Sequence, residues 1–135
     1  MTLLASDKRP LAFIVEDDPY QMRFCIVSLE LAGFRVHALA DGDDVLAHAA
    51  DLRPDLVLMD LVLPNVGGFE VCETLKSSPA TAHIPILVMS TRRSPLDRNN
   101  AARAGAADYL VKPISPVALA LRARALLNRS PQWVE

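Results

Sequence analysis

The stretch PDLVLMD, residues 54–60, sets the fold of this chain. Its four consecutive apolar residues do not alternate with polar ones, which predicts a strand buried on both faces of a parallel sheet. Pro64, Gly67 and Gly68 then mark a loop. Asp60 is therefore expected at the carboxyl end of a central strand, where open α/β sheets place their chemistry. Taken alone, such an aspartate more commonly caps or turns the chain.

Similar patterns recur on both sides of this strand. Apolar runs predict further strands at 11–15, 86–89 and 109–111, and the alternating run 35–40 predicts an edge or near-edge strand. Helix-capping and helix-terminating residues predict helices at residues 19–31, 68–77, 95–105 and 116–127, and a further helix that begins at about residue 44. Asp18 and Ser115 are the expected N-caps of the first and last helices, and Gly33 is expected to end the first. Met22, Ile26 and Leu29 are expected to form its apolar stripe.

Five strands that alternate with five helices predict a single α/β domain. Short connections imply a parallel sheet with helices on both faces, joined by right-handed crossovers. A chain of 135 residues is large enough for one such core. We expect the domain to occupy residues 10–128, with residues 1–9 and 129–135 as short flexible tails.

Bulk composition excludes several classes of protein. A formal net charge of −2 favours neither a nucleic acid nor a membrane partner. Cys25 and Cys72 lack metal-site or redox spacing and are expected to be reduced core residues. No apolar run approaches the ~18 residues of a membrane span, and the N-terminal charges follow the apolar patch, which is the wrong order for a signal peptide. A cytoplasmic protein is expected.

Polar side chains follow four of the five predicted strands. Glu16 and Asp17 follow the first, Asp60 ends the third, Ser90 follows the fourth and Lys112 follows the fifth. The carboxyl ends of parallel strands lie on one edge, so these groups are expected to converge. Three carboxylates in one place repel one another and require a balancing cation.

The chemistry of this set favours phosphoryl transfer. Oxygen ligands with an open rim suit Mg²⁺, whereas no histidine or cysteine is placed for zinc. A carboxylate can act as the nucleophile, Lys112 can neutralise developing charge and Ser90 can donate a hydrogen bond. The sequence contains no glycine-rich nucleotide-binding loop, so the phosphoryl group is expected from a donor that presents it.

The motifs together resemble the receiver domain of two-component response regulators, across roughly residues 10–128. The matching segments are residues 16–19 (EDDP), Met59-Asp60 with Pro64 and Gly67-Gly68, residues 88–91 (VMST), and residues 108–113 (DYLVKP). Each segment is weak alone, but the four in this order form a specific signature. Thr91 departs from the small residue usual in the family at that position, and it is expected to affect the lifetime of the phosphoryl group.

The resemblance implies a flavodoxin-like (βα)5 sheet of order 2-1-3-4-5. It implies that Asp60 accepts a phosphoryl group from a histidine kinase or a histidine phosphotransfer protein. It further implies that Asp17 and Asp60 ligate Mg²⁺, with Glu16 nearby and the backbone carbonyl of Val62 as another ligand. Such a domain catalyses only its own phosphorylation and dephosphorylation.

The resemblance also implies a switch that uses Ser90 and Tyr109. On phosphorylation Ser90 is drawn to the phosphoryl group and Tyr109 turns inward, which remodels the face formed by the fourth helix, fifth strand and fifth helix. Residues 91–135, which fall on this face, carry eight Lys/Arg and three Asp/Glu. Such an excess is more commonly a solvated arginine-rich surface, and the sharper hypothesis is a docking site for a downstream partner with an acidic surface. The fourth helix has few large apolar residues and is expected to be mobile. The fifth has more than one buried stripe needs, which predicts self-association through the same face.

Two other functions stay open at this stage. The first is an aspartyl-phosphate phosphatase on a related sheet; that class typically has a second aspartate two residues after the nucleophile, where this chain has Val62. The second is a docking domain that works without phosphorylation, which the acids and Lys112 disfavour. Considered singly, Lys112 is more commonly a solvated lysine before a turn. Tyr109 has a simple core residue as its alternative interpretation.

Overall fold

A computed structural model describes residues 7–129 of the chain. Five parallel strands form one sheet in the order β2-β1-β3-β4-β5. The predicted topology is confirmed, with the alternating segment at one edge of the sheet. The strands are β1 Leu11–Val15, β2 Arg35–Leu39, β3 Leu56–Asp60, β4 Ile86–Ser90 and β5 Asp108–Val111.

A helix follows each strand, as the apolar periodicity predicts. The helices are α1 Pro19–Leu31, α2 Val45–Leu52, α3 Gly68–Ser77, α4 Pro95–Ala104 and α5 Pro116–Arg129. Asp18 accepts a hydrogen bond from the Gln21 N–H at 2.8 Å, and Ser115 accepts one from the Ala118 N–H at 3.1 Å. Both predicted N-caps are therefore confirmed.

The sheet separates two apolar layers. One face of the sheet packs against α2, α3 and α4, and the other packs against α1 and α5. The four apolar residues of β3 are at most 1% exposed, which confirms that this strand is covered on both faces. Both cysteines are free and buried, and burial raises the pKa of each thiol to about 12.

The buried side of α1 contains the predicted stripe, which packs against the core, and two further positions. Leu29 is fully buried, but Met22 and Ile26 are only half-buried, and the remaining buried positions are Cys25 and Ser28. Because Ser28 carries a hydroxyl, a prediction that counts only apolar residues does not include this buried position. The hydroxyl is accommodated because it donates to the Phe24 carbonyl at 2.7 Å, which satisfies the buried polar group.

The predicted tails lie mostly outside the described residues. The described part of the N-terminal tail, residues 7–9, contacts the start of β2. The Arg35 side chain donates to the Arg9 carbonyl at 3.0 Å, and Arg9 pairs with Asp7 at 2.9 Å. Residue 129 belongs to α5. Among the helices of residues 7–129, none is long and apolar enough to cross a membrane.

Candidate functional site

Strand register brings the predicted polar residues to one edge of the sheet. Met59 of β3 pairs with Val15 of β1, so Asp60 and Glu16 come next on adjacent strands. On the other side, Ser90 of β4 pairs with Val111 of β5, which places Lys112 just beyond. Groups separated by almost a hundred residues in sequence therefore meet at the carboxyl ends of β1, β3, β4 and β5.

Lys112 joins the acids of two strands. Its ammonium lies 2.8 Å from Asp60 Oδ2 and 3.3 Å from Glu16 Oε1. The three side chains are largely buried, with exposed fractions of 11% for Lys112, 15% for Asp60 and 4% for Glu16. The predicted meeting of these residues is thus present in the structure.

The backbone supplies further donors to the same acids. The Val62 N–H donates to Asp60 Oδ1 at 3.1 Å, and the Asp18 N–H donates to Glu16 Oε2 at 3.0 Å. Each Asp60 oxygen therefore has one donor in place and keeps acceptor capacity. Asp60 is held by main chain on one side and by an ammonium on the other, with room for further contacts.

Burial and charge act in opposite directions on these groups. Burial raises the pKa of Glu16, and the neighbouring Asp60 charge adds to that rise, while the Asp18 N–H and Lys112 oppose it. Burial alone would lower the pKa of Lys112. The hydrogen bond and charges of Asp60 and Glu16 outweigh it, so the Lys112 pKa lies above its ordinary value. Lys112 is therefore charged at neutral pH.

The acids at this edge fit a hard divalent cation that keeps part of its water shell. The Glu16 and Asp60 carboxylates share a single ammonium, which leaves excess negative charge, and Asp17, the next residue after Glu16, is exposed. Within residues 7–129, His, Cys, Asp and Glu side chains form no group of three or more that could by itself hold a metal. Mg²⁺ needs only one or two carboxylates beside water, and the free acceptor capacity of Asp60 meets that need.

Arg92 connects the two predicted switch residues through its main chain, a contact that the sequence did not reveal. Its N–H donates to Ser90 Oγ at 3.1 Å, and its carbonyl accepts from the Tyr109 hydroxyl at 2.7 Å. Ser90 is 1% exposed and Tyr109 is 8% exposed. The tyrosine ring is therefore buried, and its hydroxyl is bonded to the loop that follows β4.

Helix α4 contacts Tyr109 through Arg98. The Arg98 guanidinium lies 5.2 Å from the centre of the Tyr109 ring, in cation–π geometry. Only Ala101 and Ala104 of α4 are buried, and Leu96 is 64% exposed. The scarcity of large apolar anchors in this helix, which the sequence predicts, is confirmed.

A cleft of about 370 Å³ opens beside the acids. Thr91 stands exposed at its rim, and Lys112 forms part of its wall. The remaining lining residues are Gln21, Phe24, Met89, Pro113 and Ile114. Lys112 links this mixed apolar and polar cleft to Asp60, which its ammonium contacts at 2.8 Å.

The family model for the response regulator receiver domain matches residues 12–124. The chain belongs to this family. One curated relative is the DNA-binding dual master transcriptional regulator RpaA of Synechocystis, which is 39% identical over 121 residues. That match covers 90% of this chain and 50% of the relative, so the chain spans about half the length of the curated relatives it matches.

Solved receiver structures superpose along nearly their full length. The Vibrio cholerae chemotaxis protein CheY4 is 28% identical with a TM-score of 0.82, covering 87% of this chain and 98% of that one. The receiver domain of the sensor histidine kinase PA1611 from Pseudomonas aeruginosa is also 28% identical with a TM-score of 0.82, covering 89% and 98%. That structure holds a magnesium ion coordinated in its active-site cleft.

Proposed function

We propose that this receiver domain accepts a phosphoryl group on Asp60 from a phosphohistidine donor and so controls binding of a downstream protein. The observation that carries the proposal is the buried contact between Lys112 Nζ and Asp60 Oδ2 at the end of β3. A charged ammonium there neutralises charge on the incoming phosphoryl group.

In the proposed transfer, an Asp60 carboxylate oxygen attacks the phosphorus of the donor. The new O–P bond forms as the N–P bond to the donor imidazole breaks, and that nitrogen leaves with the electron pair and takes up a proton. Lys112 and the Val62 N–H orient the two Asp60 oxygens. The donor is a histidine kinase or a histidine phosphotransfer protein, resting on the cleft that Phe24 and Ile114 line.

Mg²⁺ is the proposed cofactor. Asp17, Asp60 and the Val62 carbonyl would hold it, with Glu16 nearby through water. When bound, the ion supplies positive charge to the phosphoryl oxygens. Glu16 bonds to Lys112 and to the Asp18 N–H, so its part here is to position Lys112.

The switch is proposed to pass through Arg92. A phosphoryl group on Asp60 attracts the Ser90 hydroxyl, and the Arg92 N–H then loses the acceptor that holds its loop. Because the Arg92 carbonyl also accepts from Tyr109, the loop and the tyrosine move together. The rearranged face of α4, β5 and α5 carries exposed Arg98 and Arg103, and the loop before α4 adds exposed Arg92 and Arg93. Together they suit an acidic surface on the downstream partner.

A phosphatase is not favoured by the same site. Two residues after Asp60, where that class places a second carboxylate, stands Val62, whose side chain is 56% exposed. The domain is therefore proposed to act on its own aspartate and on no other substrate.

The test is phosphorylation by a small acyl phosphate, followed by intact mass. With Mg²⁺ the chain should gain one phosphoryl group, and this gain should vanish without Mg²⁺ or in Asp60→Ala. Asp44→Asn is the matched control, since Asp44 is exposed and its side chain makes no capping bond. Equal loss in both variants, or no gain in the wild type when Mg²⁺ binds, would contradict the proposal. Phosphate release from unrelated substrates would instead favour a phosphatase.

A further inference from the structure

The exposed large apolar side chains are concentrated on one face. Within residues 7–129, eight such side chains are exposed, and five of them lie on α1 and α5. They are Tyr20 at 83%, Val27 at 45%, Leu31 at 80%, Val117 at 67% and Leu121 at 65%. The α1–α5 face, defined by these five residues, is an apolar patch of the kind that marks an interaction site.

A groove joins the two helices of this face. It measures about 290 Å³, and small residues such as Ser28, Ala32 and Ala120 form part of its wall between Leu31 and Leu121. The sequence predicts that the surplus apolar residues of α5 lie on the face shared with α4. The exposed ones, Val117 and Leu121, instead lie next to α1. On its other side α5 carries Arg122, which forms a bidentate ion pair with Asp108.

Two unlike charges border the patch on α1. Arg23 and Glu30 are exposed and stand seven residues apart, which is about two turns, on the same side of the helix. Neither forms an ion pair with another of the described residues 7–129. Val27 lies between them.

We propose that the α1–α5 face binds a second copy of this chain in an antiparallel, two-fold arrangement. A two-fold axis that crosses α1 near Val27 places Arg23 of each copy beside Glu30 of the other. The same operation lays the apolar stripes of the two copies together. Such self-complementarity is what an isologous interface requires, since each contact then occurs twice. A uniformly acidic or basic partner would meet one of these two charges with the same sign.

Sedimentation equilibrium of the full chain over a wide concentration range tests this. Arg23→Glu and Glu30→Arg each replace two attractive pairs by two repulsive ones, so each should weaken the dimer by about tenfold or more. The double variant Arg23→Glu with Glu30→Arg restores opposite charges, and its dissociation constant should return to within about threefold of the wild type.

Leu31→Asp on the patch should also abolish the dimer, whereas the control Leu96→Asp on α4 should not, since Leu96 is 64% exposed on the opposite layer. A wild type that stays monomeric at every concentration overturns the proposal, as does a double variant no tighter than the single ones. If the chain is monomeric and Leu31→Asp instead slows phosphoryl transfer from a histidine kinase, the face docks the donor and the proposal is wrong. Far-ultraviolet circular dichroism confirms that each variant is folded.

Discussion

Helices α3 and α4 are neighbours on the same side of the sheet and have ten residues each, yet they are attached to it differently. Helix α3 buries Gly68, Val71, Cys72 and Leu75. Helix α4 buries only two alanines and contacts Tyr109 through an exposed arginine. The helix that follows the Asp60 loop is thus fixed by packing, while the helix beside Tyr109 is held by small residues and polar contacts. The difference gives one side of the site rigidity and the other freedom to move.

The largest expected effect is on the packing of α3. Leu75 is fully buried, so Leu75→Ala should leave a cavity and lower the free energy of unfolding by about 2–5 kcal/mol. Leu96→Ala on α4 should change it by less than about 0.5 kcal/mol. Urea unfolding of both variants measures the contrast. Similar losses at the two positions would show that the helices are equally anchored.

A second expected effect concerns the start of α3. A Cβ on Gly68 would lie 2.7 Å from Leu61 Cα and 2.8 Å from the Asp60 carbonyl oxygen, both of them backbone. Gly68→Ala should therefore cost about 1–3 kcal/mol and displace the end of β3. It should also slow phosphorylation of Asp60 by an acyl phosphate.

The adjacent glycine provides the control for that experiment. A Cβ on Gly67 meets nothing closer than Glu70 Oε1 at 3.8 Å, and its φ of −69° suits any residue. Because alanine is a poorer N-cap than glycine, Gly67→Ala should cost up to about 1 kcal/mol, but it should leave phosphorylation of Asp60 unchanged. If both alanine variants phosphorylate at the wild-type rate, the close contact between α3 and β3 does not matter for the site.

A smaller effect is expected at the switch. Tyr109→Phe removes the donor to the Arg92 carbonyl, which should cost about 1 kcal/mol and loosen the loop between β4 and α4. Hydrogen exchange should quicken in residues 91–98 and stay unchanged in α3. Tyr20→Phe is the control because its side chain is 83% exposed. If residues 91–98 exchange their amide hydrogens at the wild-type rate in both variants, this bond does not hold the loop.

The smallest expected effect is at Arg98. Its exposed cation–π contact with Tyr109 should contribute about 0.5 kcal/mol. A double-mutant cycle between Arg98→Ala and Tyr109→Leu measures that coupling energy. A second cycle between Arg103→Ala and Tyr109→Leu is the reference. Equal coupling energies for the two arginines would mean that Arg98 has no specific contact with the switch.

The sequence predicts the sheet and the meeting of Asp60 with Lys112 because both follow from chain topology. Uninterrupted apolar runs such as residues 56–59 identify buried strands, and parallel order brings their carboxyl ends together. A polar residue that ends such a run, such as Asp60, is placed by that order alone.

Contacts that depend on loop conformation do not show in residue patterns. The bonds of the Arg92 main chain and the position of Arg98 over Tyr109 depend on backbone angles that residue types only weakly restrict. The buried face of α1 was predicted incompletely for a related reason: a buried serine whose hydroxyl bonds to its own helix does not read as apolar. Likewise, the exposed side of α5 follows from its packing against α1 and not from its composition.

The link between Ser90 and Tyr109 has a consequence for mutational scans of this domain. Since both bonds are made by the peptide groups of Arg92, replacing its side chain by alanine leaves donor and acceptor in place. A scan would score the position as tolerant, and sequence variation there would look neutral. Only proline deletes the N–H, so Arg92→Pro is the one substitution at this position that would remove the bond to Ser90 while leaving the Ser90 and Tyr109 side chains intact.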